Sequence, residues 1–557
     1  MATRQRRLLV LSLAVASLLA LVAVALQAAA PASGLPAPVL VAGRSVDPAR
    51  LEAHVRVLAD DKMEGRGTGT RGYDMAADYV SEQMRALGLS PGGTSGYLQP
   101  VPFLRGALDP GACAFELRRE GVSLPLEVGR DVLLSPDYLR TKWTTEAPLE
   151  FVGYGVSAPE LGHDDFAGLN VRGKVLVEFR GAPPRFPVNE RAYYSNGQVK
   201  DQLAAARGAI GVLQITKPDD ESRAPWERNM RQNKLPGFRW TDASGAPSNT
   251  QAGIELSGQL SPDAERRMFE GSGRTYEQAV ADAESSRVAP LPLAWTVKAV
   301  RVTQHARTTS PNVVGLLRGS DPKLAGECIV VSAHLDHLGI STPVNGDSVN
   351  NGAYDNASGT SMMLEVARAF ASLKQRPRRS IVFLSVTGEE KGLQGSDYFA
   401  RHTAPDSMEV VGDVNLDMVL LLRPLTKVVA VGAQHSSFGA VMEKAAAAAG
   451  LELIPDPMPA EVVFVRSDQF SFIKQGIPAV FPVSGNDGSA EGKDELGHWR
   501  TGHYHSPNDD MKQPFDWPSG ARFTSMAFWA TWLAANSPEA PRWNPGDFFG
   551  GRFGARP

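Results

Sequence analysis

Residues 380–392 read SIVFLSVTGEEKG, an apolar run that ends in two adjacent carboxylates, Glu389 and Glu390. Like charges at the mouth of a core repel each other, so the pair calls for a cation or for solvent. The pattern recurs along the chain in AHLDHLG (His334, Asp336, His337), YDNASG (Asp355), NLDMV (Asp417) and GHYHSPND (His503, His505, Asp509). One such group at a strand end is ordinarily a satisfied structural residue. Several that converge are different, because buried charge is costly unless it is paired or bound to a metal. Imidazole nitrogen and carboxylate oxygen without cysteine suit zinc, and they also suit manganese or cobalt. Two ions roughly 3.5–4 Å apart that share a carboxylate would clamp both an attacking water and a substrate oxygen. Five protein ligands serve that arrangement, one bridging and two terminal for each ion.

The elements that must position these groups follow a strand, loop, helix rhythm from about Leu293 onward. Strands are expected at Cys328 to His334, Ser380 to Thr387, Val410 to Val419, Lys427 to Gly432 and Ile477 to Val483, with helices at Ser358 to Leu373 and Ser437 to Ala449. The alternation predicts an α/β fold with a mixed, largely parallel sheet covered by helices on both faces. In such sheets the functional crevice lies beyond the carboxyl ends of the strands, where the polar groups fall. Upstream, Tyr73, Ala76, Ala77, Val80 and Met84 recur at helical spacing. From about Gly106 to Pro290 the chain changes to short β-like runs (Leu149 to Val156, Lys174 to Phe179, Gly211 to Ile215) with many prolines, which reads as a small inserted lobe. The expected division is 1–30 leader, 45–110 first part of the main domain, 111–290 inserted β-rich domain, 291–540 main domain and 541–557 tail.

Bulk properties narrow the function. The chain has 557 residues, 43% hydrophobic and 21% charged, enough apolar mass for a large core. A formal net charge of −4 leaves no basic footprint for nucleic acid. Only Cys113 and Cys328 are present; two buried free thiols are expected and no cysteine-based metal or redox site. Arg4, Arg6 and Arg7 precede an apolar stretch from Leu8 to about Leu26, with an A-x-A-like site at Ala28 to Ala30. This reads as an export signal for a secreted or periplasmic protein, while the length of the stretch also allows a membrane anchor.

The motifs HLD (334–336), DNASG (355–359), EEKGLQGS (389–396), NLD (415–417) and YHSPND (504–509) resemble, in order, those of the co-catalytic di-zinc aminopeptidases. That superfamily includes bacterial leucyl aminopeptidases, aminopeptidase Y and the ectodomains of glutamate carboxypeptidase and the transferrin receptor. The resemblance extends to GRGTGTRGYDMAADYV near the N-terminus, and FVGYGVSAPELGHDDFAGLNVRGKVLVEF looks like a protease-associated domain. It implies two zinc ions, with His334 and Asp417 as terminal ligands of one, Glu390 and His505 of the other, and Asp355 bridging. It further implies that Asp336 holds the His334 imidazole in its tautomer and that Glu389 is the general base. Adjacent residues of extended chain point apart, which would let Glu390 reach a metal while Glu389 faces the water.

The expected activity is an exported aminopeptidase acting on peptides. Alternatives on this scaffold are a carboxypeptidase, for which Arg466 and Arg500 are unplaced candidates, a glutaminyl cyclase, or a receptor-like module without catalysis. His337 is expected to be structural or pocket-lining, and His503 not a ligand. Asp468 and Gln469 either orient Asp417 or line the pocket, or they form a plain turn. The aromatic run FTSMAFWATWLAA is expected to be core.

Overall fold

The computed structural model describes residues 34–285, 288–405, 408–485 and 489–554. The leader and its basic, apolar pattern lie outside the described residues. No helix among those described is long and apolar enough to cross a membrane.

The centre of the molecule is a sheet in which Ser380–Val386, Glu327–His334, Glu409–Asn415 and Ala479–Gly485 run parallel in that order. Leu98–Leu108 and the second half of Leu291–Leu317 add antiparallel strands on one side, and Lys427–Val431 adds one on the other. Side chains alternate between two cores. Ile329, Val331, Ile381 and Phe383 face the helices Arg71–Ala86, Gly359–Ala371 and Trp517–Asn536. Cys328, Val330, Val382 and Leu384 face the opposite side. All seven residues of Ser380–Val386 are buried, as a central strand covered on both faces requires. The aromatic run near the C-terminus lies within Trp517–Asn536 and is core, with Phe523, Phe528 and Trp529 buried.

Parallel register brings His334 level with Val386 and Ser332 level with Asn415, so the loops carrying the polar motifs leave the sheet at one edge. The strand expected to reach Val419 stops at Asn415. Beyond it, Asn356 Nδ2 donates to Leu416 O at 2.9 Å, and Met418 adopts a left-handed φ of 45°, so Asp417 stands in a loop.

A second sheet gathers the strands between 114 and 302, in the order Val122–Leu126, Ala114–Arg119, the first half of Leu291–Leu317, Lys142–Phe151, Val175–Phe179, Gly211–Ile215, Leu256–Leu260 and Val132–Leu134. Lys142–Phe151 starts and ends earlier than the pattern predicts, because Gly153 and Gly155 take φ of 68° and 65° and turn the chain out of the sheet. Leu291–Leu317 is one 27-residue strand shared by both sheets. The expected join at 290/291 falls at its first residue. Cys328 is a buried free thiol, whereas Cys113 is only half-buried.

Candidate metal centre

The strand ends deliver His334, Asp355 and Asp417 to one point: His334 Nε2 lies 3.2 Å from Asp355 Oδ1 and 3.1 Å from Asp417 Oδ1. Around the other oxygen of Asp355, His505 Nε2 lies 3.2 Å from Asp355 Oδ2 and 3.1 Å from Glu390 Oε2. All five expected ligands therefore meet, with Asp355 between the two groups. His337 joins them, its Nδ1 2.7 Å from Glu390 Oε1 and 3.9 Å from Asp355 Oδ2. His337, expected to be structural or pocket-lining, thus stands against the Asp355 and Glu390 carboxylates. Sets of ligand atoms within 4.8 Å of one another are His334, Asp355, Asp417 and His337, Asp355, Glu390.

These donors fit a pair of cations. They are nitrogen and oxygen only, they share one carboxylate, and buried His337 Nε2 and Asp355 Oδ2 have no aligned hydrogen-bond partner. Charge argues the same way. Burial opposes ionisation of Asp355 and Glu390, yet the histidines beside them hold both below the usual carboxylate range. Burial alone would lower His505, but Glu390 and Asp355 outweigh it and raise it to about 9. Protons on the histidines thus occupy the electrostatic role that a metal would take over.

Local structure holds each group. Asp355 begins the approach to the helix Gly359–Ala371, and Asn356 Oδ1 accepts from Gly359 N, the helix's first residue, at 2.8 Å. Gly352 is required upstream: φ is 58°, and a Cβ there would collide with Asp355 O and the His337 ring. Asp509 carries the loop from the far side, accepting from Tyr354 N and Asp355 N at 3.0 Å each. His505 takes φ of 54°, a left-handed conformation unusual for a side chain of this size and found at functional sites.

Two expectations need correction. Asp336 does not orient His334 through its carboxylate. His334 Nδ1–H donates to the backbone carbonyl of Asp336 at 3.0 Å, while the carboxylate accepts from Thr68 Oγ1 at 2.9 Å and Glu389 N at 3.0 Å. A carbonyl can only accept, so the tautomer is still set, leaving Nε2 toward Asp355 and Asp417. Asp336 instead fixes the backbone of Glu389. Nor is the Glu389, Glu390 pair extended: Glu389–Lys391 is a single 3₁₀ turn, and the two carboxylates diverge by the turn's rotation. Glu389 lines the same cavity as Asp355, Asp417 and His505. Burial, with Asp468, Asp417 and Glu390 close by, pushes its carboxyl well above the usual range against the pull of His334.

Ser467, Arg66 and Gln232 escaped the sequence reading, and Asp468 and Gln469 were considered there. Ser467, one position before the residues considered, donates from Oγ to Asp417 Oδ2 at 2.6 Å. Gln469 Oε1 accepts from Asn415 Nδ2 at 3.1 Å, and buried Asp468 has neither oxygen hydrogen-bonded, its carboxyl pushed up to about 7 by burial. Arg66, in the quoted GRGTGT stretch, is fully buried and donates to the carbonyls of Leu58, Leu335, Asn351 and Gly352, pinning the loops on either side of the centre. Gln232, from the inserted lobe, places its side-chain amide 2.7 Å from His505 Nδ1. An arginine between glycines was the available signal for Arg66, whereas Gln232 and His505 are 273 positions apart and share none. His503 stacks near Trp499 and lies outside the ligand groups.

Residues 312–530 match the model of peptidase family M28. A probable zinc metalloprotease of Pyricularia oryzae is 39% identical over 109 residues, 19% of this chain and 20% of that protein's length. The chain thus matches only about a fifth of that relative. Aminopeptidase YwaD of Bacillus subtilis is 25% identical over 392 residues, 68% of each chain. An aminopeptidase structure from Aneurinibacillus sp. strain AM-1 superposes with a TM-score of 0.52 at 18% identity, over 91% of this chain and 100% of that one, a likeness of fold.

Proposed function

We propose that the protein is an exported metallo-exopeptidase, an aminopeptidase that hydrolyses the N-terminal peptide bond of peptides with two zinc ions. The observation that carries the reading is that two donor groups share Asp355, with Glu389 on the wall of the adjoining cavity. His334 and Asp417 would hold one ion, Glu390 and His505 the other, with His337 within reach of the second. When bound, the ions supply Lewis-acid activation of the water and the scissile carbonyl. Glu389 takes the proton from the attacking water and passes it to the departing amine. Asp336 keeps Glu389 in place through the backbone N–H, and Ser467 and Gln232 steady Asp417 and His505.

The test is Glu389→Gln, assayed on aminoacyl p-nitroanilides with metal analysis of the same sample. Two zinc ions per chain and a loss of kcat of at least 1000-fold are expected, the scale of a lost acid–base residue in a preorganised site. Turnover retained in the fully loaded variant excludes Glu389 as the base.

A further inference from the structure

Beside the metal centre lies a cavity of about 430 Å³, walled by the main domain on one side and by the inserted lobe on the other. Five guanidiniums line it (Arg180, Arg223, Arg228, Arg466 and Arg500) against three carboxylates outside the metal centre, Asp220, Asp456 and Glu461. The carboxylates are not evenly shared. Asp220 is taken by Arg223 and by Lys217 at 3.1 Å, and Glu461 by Arg500 and by Arg466 at 3.7 Å. Asp456 accepts from Met458 N at 2.8 Å and forms no ion pair among the described residues.

Among the described residues, Arg180 and Arg228 are left without a carboxylate at ion-pair distance. Arg228 is only 8% exposed. It donates to the carbonyls of Arg500 at 2.8 Å and Arg223 at 2.7 Å, and its guanidinium carbon lies 5.4 Å from the centre of the Tyr504 ring. A buried guanidinium with only neutral partners is expensive, and the cost is offset when an anion arrives. Arg180 lines the cavity and has no side-chain hydrogen bond or ion pair to any described residue, so its donors are uncommitted among them. The position is close to the chemistry. Tyr504 stacks on His505 with ring centres 3.7 Å apart, so Arg228 stands one aromatic ring from a ligand of the proposed centre.

We propose that this cavity receives a carboxylate of the substrate and that Arg180 and Arg228, both from the inserted lobe, bind it. The preferred substrates are peptides with a negative charge next to the bond cleaved. That charge is either the side chain of an acidic N-terminal residue or the free α-carboxylate of a short peptide. The inference rests on the peptidase reading and extends it, because the lobe becomes the part of the protein that selects substrate. Planar guanidiniums suit the task better than lysines, since they meet a carboxylate with paired hydrogen bonds.

Two isosteric substrate pairs separate the sources of charge: glutamyl against glutaminyl p-nitroanilide, and the dipeptide Leu-Gly against its C-terminal amide. The zinc-loaded protein should favour the charged member of one pair at least tenfold in kcat/KM, and the pair that responds names the source. Arg180→Gln and Arg228→Gln should each reduce that ratio about tenfold or more, the worth of a hydrogen bond to a charged group. Arg180→Lys should restore part of it. Calorimetric titration of the same proteins with L-glutamate and L-glutamine supplies a readout apart from turnover, with glutamate binding weakened in both Gln variants if the side-chain carboxylate is the one received. Should Arg228→Gln misfold, Arg180→Gln carries the test, since it breaks no internal contact among the described residues. If leucyl p-nitroanilide is hydrolysed in a zinc-dependent way and neither pair discriminates, the carboxylate inference is overturned and the peptidase reading stands. If no substrate is turned over at all, both fall.

Discussion

Asp509 has no ligand role, yet Asp509→Asn should weaken the metal centre by one to two orders of magnitude. Its buried carboxylate accepts from Tyr354 N and Asp355 N, so the main chain carrying the shared ligand hangs on one charged group. Asparagine keeps the size but only one accepting oxygen, and turns an NH₂ toward the other N–H. Each hydrogen bond to a charged group contributes about 1.5–3 kcal/mol, and an orphaned buried donor costs a similar amount. Asp509 is also the first of the carboxylates supporting the Arg66 guanidinium, which burial lowers to about 10, so the variant leaves that charge less compensated. A total of about 2–3 kcal/mol, felt at the bridging residue, corresponds to a zinc affinity about 10–100-fold weaker. Competition against a chromophoric chelator measures the affinity, and kcat at saturating zinc measures the chemistry. The expected result is a shifted Kd with kcat within about threefold of the parent. Unaltered zinc affinity in a folded variant would refute the support argument, and lost kcat at full occupancy would place Asp509 in the chemistry instead.

Further outcomes follow from other contacts. Gln232→Ala removes the lobe's partner of His505 Nδ1 and should lower zinc affinity about tenfold, read by metal content after dialysis against a weak chelator; full retention would mean that the lobe does not steady this ligand. Buried Glu265 accepts from Thr216 N at 2.7 Å and Thr216 Oγ1 at 2.9 Å, and burial raises its carboxyl to about 7 against those bonds. Between its unfolded value of 4.5 and about 7 the folded chain keeps a proton that the unfolded chain releases. Stability is therefore present below that window and lost as pH rises through it, by about 1.4 kcal/mol per unit. Glu265→Gln has no proton to lose, so it should exceed the parent in urea midpoint at pH 8 and match it near pH 4.5. A pH-independent difference would contradict this.

The ligand set was legible through the resemblance of its motifs to those of the di-zinc aminopeptidases, and most of the polar groups also close an apolar run, which parallel strands bring to one edge. His334, Asp355, Glu390, Asp417 and His505 all meet there. What stayed hidden depends on backbone geometry or on distant chain. That Asp336 acts on His334 through its carbonyl cannot be read from side-chain type, because every residue carries the same carbonyl. The divergence of Glu389 and Glu390 has the expected result from a different cause, a tight turn in place of an extended segment. Ser467 was passed over for its acidic neighbour, although a hydroxyl can donate to the Asp417 side chain. Of the arginine wall, Arg466 and Arg500 stood out in the sequence only as candidates without a place, and Arg180, Arg223 and Arg228 did not stand out, because the members come from segments spread between 180 and 500.

The strand Leu291–Leu317 spans about 90 Å at the usual rise per residue. A lobe joined by a flexible tether can swing or be excised as a cassette. One that shares an unbroken ribbon of backbone with the catalytic sheet can do neither. Cutting it away would strip partners from half of that ribbon and leave a raw edge that invites aggregation. The two sheets should therefore melt together, and the distance from the arginines to the candidate metal centre is built in during folding as a fixed gauge.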